Sequence, residues 1–155
     1  MTIEDDIAFF ERVPTLSLLG RAALRILAIG AESRFVHAGE VLFRAGDAAD
    51  SAYVIQEGSF GLLPQRAEGE AQEVVAGRGA LLGELAMITP TKRLATATAL
   101  EPTTVIRISR GLFLKMLEGY PDTARKLRDA IAARSDQWAR EMQNVRGSLE
   151  TKGGK

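Results

Sequence analysis

The chain has no cysteine and a single histidine. The first absence removes disulfides, thiol nucleophiles and thiolate metal sites. It also fits a reducing, cytoplasmic setting. With His37 alone, a metal centre would need carboxylates for its other ligands, and a Ser/His/Asp system would have to be built around one residue. Phe35-Val36-His37-Ala38-Gly39 reads as a strand running into a turn, with His37 a polar residue at its end. An excess of one charge is missing too: Lys plus Arg number 20, and so do Asp plus Glu. Bulk electrostatics therefore gives no reason to expect nucleic acid or an anionic membrane as partner. No apolar run approaches the ~20 residues that cross a bilayer. The N-terminal stretch MTIEDDIAFFERV is acidic, unlike the basic start of a secretion signal.

What is present is ordinary for a globular protein. The 155 residues are 46% hydrophobic and 26% charged, enough for one domain with a proper core. Ile7, Phe10, Leu16, Leu19, Leu24 and Leu27 recur at helical spacing, and Pro14 divides them, so two short helices with a kink are expected over 8–33. From residue 34 the character changes. The runs RFVHAG, EVLFRAG, SAYVIQEG, SFGLLPQ and QEVVAGRG are rich in β-branched and aromatic residues and end in glycine or polar turns. With ATATALEPTTVIRIS they predict about eight antiparallel strands over 34–110, in a roll or barrel. Glycines 39, 46, 58, 69, 77 and 79 are expected to supply positive φ at the turns. Helix returns over 111–145, broken at Gly119-Tyr120-Pro121, with Asp122 as expected N-cap of the last helix. The polar tail 146–155 reads as disordered.

The chemistry concentrates in GELAMITPTKRLATATA, Gly83 to Ala99. A glycine followed by one short helical turn leaves N–H groups without internal partners. Such a terminus attracts anions, phosphate above all. Arg93 returns after the Thr89-Pro90-Thr91 loop, and a guanidinium grips two phosphate oxygens at once. Glu84 cannot bind phosphate, but it can accept a hydrogen bond from a ribose hydroxyl. Together they describe a sugar-phosphate site. The alternative is a salt bridge between Glu84 and Arg93 in an empty pocket.

The stretch Leu82-Gly83-Glu84-Leu85-Ala86-Met87-Ile88, with Lys92-Arg93-Leu94-Ala95-Thr96, resembles the phosphate-binding cassette of the cyclic nucleotide-binding domain family. The preceding AGEVLFRAGDAADSAYVIQEGSFGL is similar to that family's glycine strands, with Gly39, Gly46, Tyr53, Ile55 and Gly58 in register. The resemblance covers roughly residues 8–145, as a stand-alone, bacterial-type member. It implies a mainly β fold: a jelly-roll-like β-roll barrel with N-terminal helices, a cassette over 82–96 and C-terminal helices. It implies cAMP or cGMP as ligand. Arg93 would pair with the cyclic phosphate and Glu84 with the ribose 2′-hydroxyl. The N–H groups near Leu85 and Ala86 would complete the anion site, and Gly83, Leu94 and Ala95 would line it.

Three departures stand out. Leu94 occupies a position usually small or hydroxylated, which argues against cGMP and either intrudes on the pocket or turns away. Lys92 replaces a proline and is expected to face solvent. Leu82 replaces a phenylalanine in the core. On the last helix, Trp138 is a candidate lid over the base, and 122–145 a candidate dimer interface. The resulting expectation is a cAMP sensor, not an enzyme and without metal, that signals through its C-terminal helices to a separate effector or a second copy. The alternative is a degenerate domain that serves as a nucleotide-free interaction module.

Overall fold

The structure, a computed structural model, describes residues 2–64 and 72–133. The first helix, α1 (Ile3–Phe10), starts earlier than the periodicity predicts. Thr2 explains this: its hydroxyl accepts from the Asp5 N–H while the Asp5 carboxylate accepts from the Thr2 N–H, a reciprocal capping box. Pro14 does not kink a helix. The chain instead leaves α1 at Phe10, makes a tight 3-10 turn over Leu16–Leu18, and re-enters helix as α2 (Arg21–Gly30). Exposed ion pairs from Arg21 to Glu4 and Glu11, and from Arg25 to Glu4, lace α1 to α2.

Ten strands follow among the described residues: β1 (Glu32–Val36), β2 (Val41–Phe43), β3 (Ala48–Ala49), β4 (Ser51–Glu57), β5 (Phe60–Pro64), β6 (Val74–Ala76), β7 (Leu81–Leu82), β8 (Thr91–Lys92), β9 (Ala95–Ala99) and β10 (Thr103–Ser109). They form two antiparallel four-stranded sheets, β1-β10-β4-β7 and β2-β9-β5-β6, and a small β3-β8 ribbon. The architecture is the expected antiparallel β-roll, two facing sheets that do not close into a barrel among the described residues. Gly39, Gly46, Gly58 and Gly79 do turn at positive φ, but Gly77 does not, and Gly69 lies outside the described residues. At Gly58 (φ +99°) the reason is doubled, because a Cβ would strike Thr103 and the Pro102 carbonyl.

β4 is buried on both faces over Ser51–Ile55, where Ala52-Tyr53-Val54-Ile55 reads as a continuous apolar run, and β10 buries Val105, Ile106 and Ile108. Their period of two divides the core. Tyr53, Ile55 and Val105 meet Phe60, Leu82, Ala97 and Ala99 inside the roll. Ala52, Val54, Ile106 and Ile108 face the opposite way, onto Phe10, Leu24 and Leu27 of the N-terminal helices and Phe113 and Met116 of α3 (Arg110–Gly119). Ser109 caps α3 by accepting from the Leu112 N–H. Residues 121–133 are helical again. The N-cap of this helix is Tyr120, whose carbonyl accepts from the Ala124 N–H; Asp122, the expected cap, sits inside the first turn. Trp138, the rest of the 122–145 interface helix and the 146–155 tail lie outside the described residues.

Candidate functional site

The cassette joins the two cores. Leu82, at its start, packs inside the roll, and Met87, five positions on, packs among the helices. The expected short helical turn is present as a single 3-10 turn, Glu84–Met87, which starts one residue before Leu85. Gly83 opens it at φ +69°, in the left-handed region. The Ala86 N–H donates to the Gly83 carbonyl at 3.1 Å, so this amide closes the turn and is not free in this structure. Arg110, the first residue of α3, clamps the turn from below: its Nε donates to the Ala86 carbonyl at 2.9 Å and its Nη2 to the Ala49 carbonyl at 2.6 Å.

Arg93 follows β8 and is only 7% exposed. Its backbone is held by the turn before β3, with the Arg93 N–H donating to the Asp47 carbonyl at 2.8 Å and the Gly46 N–H donating to the Arg93 carbonyl at 2.9 Å. The guanidinium lies over the Phe43 ring at 4.3 Å, with Tyr53 behind at 5.5 Å. These two rings stack on each other at 5.9 Å. Nη2 donates to the Ser51 hydroxyl at a long 3.4 Å. Nη1 is buried and has no hydrogen-bond partner at all. No described carboxylate pairs with Arg93, so the Glu84–Arg93 salt bridge is not formed. Burial pushes the Arg93 pKa below its usual range, and Tyr53 and Asp50 only partly oppose this.

An orphaned buried guanidinium N–H is costly. It sits against Gly83, where a Cβ would fall on Arg93 Nη1. The glycine thus serves two needs, a left-handed backbone and room for the cation. An anion with two acceptor oxygens is the chemistry that such a group lacks.

Glu84 is half-buried and accepts a hydrogen bond from the Thr15 hydroxyl at 3.2 Å. Leu85 is half-buried, and Ala86 and Ala95 are buried. Leu94 is 62% exposed, so it does not fill the roll. Lys92 is exposed, and Leu82 is buried in the roll core. The spacing of residues did not reveal Thr15, Phe43, Ser51, Tyr53 or Arg110 as site residues. Ser51 and Tyr53 share one face of β4, a period-two signal that was readable once β4 was placed. Thr15 and Arg110 gave no local signal. His37 follows β1 and is exposed, edge-on to Phe35 at 4.7 Å, and no cluster of three or more metal-ligating groups is found among the described residues.

The fold defines the class: a two-sheet β-roll with flanking helices, its short connecting turn set beside a buried and half-satisfied guanidinium. The family model of the cyclic nucleotide-binding domain matches residues 33–120. The chain belongs to the cyclic nucleotide-binding domain family. It is similar to lysophospholipase NTE1 of Chaetomium globosum, 31% identical over 100 residues, which are 64% of this chain and 7% of that protein. The chain therefore spans only a small part of the curated relatives it matches. A cyclic nucleotide-binding-like protein from Brucella abortus is 43% identical, with TM-score 0.65 over 74% of this chain and 98% of that one. The N-terminal domain of a transcriptional regulator from Streptomyces coelicolor is 28% identical, with TM-score 0.73 over 86% and 94%. No helix among the described residues is long and apolar enough to cross a membrane.

Proposed function

We propose that this chain is a cytoplasmic cyclic nucleotide sensor domain, residues 1–145, that favours cAMP over cGMP and performs no chemistry itself. The observation that carries the reading is Arg93 Nη1, buried beside Gly83 without a partner. A cyclic phosphate supplies the missing acceptors to Arg93, and the Glu84 carboxylate takes the ribose hydroxyl. Leu94 offers no hydroxyl to a guanine and faces solvent, which supports cAMP.

The output runs through the cassette to the C-terminal helices. Arg110 and Met87 tie the cassette turn to α3, so a shift of the turn on binding is felt there. A ligand moves such an equilibrium only by its differential affinity for the two states. The receiver is a separate effector, or a second copy through the helix that starts at 121. Titration calorimetry with cAMP and cGMP, together with hydrogen exchange over 110–133, tests this. Tighter binding of cAMP and altered protection in α3 are expected. A flat trace with cAMP, cGMP and cyclic dinucleotides would overturn it in favour of a nucleotide-free interaction module.

A further inference from the structure

The described part of the chain buries few polar side chains: Thr15, Ser51, Arg93 and Thr103. Thr103 bonds the backbone around Ser59 and Glu101 in its own turn. Ser51 stands behind Arg93. Thr15 stands behind the other candidate ligand group, Glu84, from 69 positions away.

Thr15 is 3% exposed and occupies the N-cap position of the 3-10 turn Leu16–Leu18. A threonine there ordinarily accepts from its own turn's N–H groups. Here its side chain makes no capping bond. Its hydroxyl donates instead to Glu84 Oε2 at 3.2 Å. A half-buried carboxylate has several rotamers and two equivalent oxygens. A donor from a buried hydroxyl favours one placement of the carboxylate among them.

We infer that Thr15 is a positioning residue for Glu84, which makes the N-terminal 3-10 turn part of the ribose-recognition apparatus. The inference rests on the cyclic nucleotide reading above and goes beyond it. It assigns a specificity role to the helical segment outside the roll. That segment is packed on the same core as Met87 of the cassette, so the bond also lets the ribose end of the ligand sense the N-terminal helices.

The test compares wild type, Thr15→Val and Thr15→Ser, each titrated with cAMP and 2′-deoxy-cAMP. Valine keeps the shape and removes the hydroxyl; serine keeps the hydroxyl. Thr15→Val is expected to weaken cAMP about five- to tenfold, to leave 2′-deoxy-cAMP within about twofold, and Thr15→Ser to restore wild-type affinity. Equal weakening of both ligands in Thr15→Val, or unchanged cAMP affinity, would overturn the inference. If wild type binds neither ligand, the sensor reading itself fails. A denaturation double-mutant cycle of Thr15→Val with Glu84→Gln then judges the bond alone. Non-additive losses support a Thr15-held carboxylate, and additive losses overturn it.

Discussion

The two cores of this domain are built to different standards. Beneath the helices, Phe10, Leu16, Leu24, Leu27, Met116 and Leu127 are almost wholly buried, with aliphatic and aromatic neighbours. Inside the roll a cation is buried on two aromatic faces with one N–H unanswered. The first arrangement maximises apolar burial. The second leaves a polar debt that protein atoms do not settle, and each such group in a folded protein asks for an explanation. The helical core is filled by its own side chains, whereas the roll core, beside fully buried Ile55, Phe60 and Val105, holds one buried donor that no described residue answers.

The sharpest way to break this comparison is to damage each core in turn. Leu24→Ala is expected to cost about 2–5 kcal/mol in chemical denaturation, because Leu24 is fully buried. Nucleotide affinity of the folded protein should hardly change. Arg93→Met should do the reverse. Binding is expected to fall by roughly 1.5–3 kcal/mol, about 10- to 150-fold by calorimetry. Folding stability should stay level or rise, since a buried and poorly paired charge is exchanged for an apolar chain of similar length. A large stability loss in Arg93→Met would mean that the cation belongs to the core. Gly83→Ala sits between the two. A left-handed alanine costs about 1–2 kcal/mol. Its Cβ would also displace Arg93 Nη1, so stability and affinity should both drop.

The smallest expected effect concerns acid, through two carboxyls of α1 and one of the roll, Asp50, which, against the opposing effect of burial, Ser51 and Arg107 hold below its usual range. Arg25 and Arg21 hold the Glu4 carboxyl below its usual range, and the Thr2 backbone and hydroxyl do the same for Asp5. A lowered folded-state pKa contributes stability above the unfolded value, lost as pH falls through the folded one. Asp6 opposes this weakly, because burial raises its pKa. A modest fall in melting temperature is expected below about pH 4. It should shrink in Glu4→Gln. An equal fall in Glu4→Gln would contradict the share of this acid response assigned to α1.

Much of the frame was legible because it is local. Glycines marked the turns at 39, 46, 58 and 79, and the alternation in ATATA matches a strand with Ala95, Ala97 and Ala99 buried. The cassette announced itself by residue type. Capping was harder. The Thr2–Asp5 box pulled α1 forward, and Tyr120, not Asp122, opened the last helix. The Pro14 segment needed tertiary packing to become a separate 3-10 turn. Least legible were the contacts that give the site its character. The Phe43–Tyr53 stack under Arg93, and the bonds from Thr15 to Glu84 and from Arg110 to Ala86, join residues that only the folded topology brings together.

The central claim is that Arg93 is kept short of partners for an external anion. Thermal unfolding of wild type and Arg93→Met, each with and without saturating cAMP, measures it most directly. At a hundredfold excess over Kd, the ligand should stabilise wild type by about 2.7 kcal/mol, a rise of roughly 5 °C or more. Arg93→Met should melt no lower than wild type without ligand, and the same cAMP concentration should stabilise it by only about 0.3–1.4 kcal/mol. An equal cAMP-induced rise in both proteins would contradict the account.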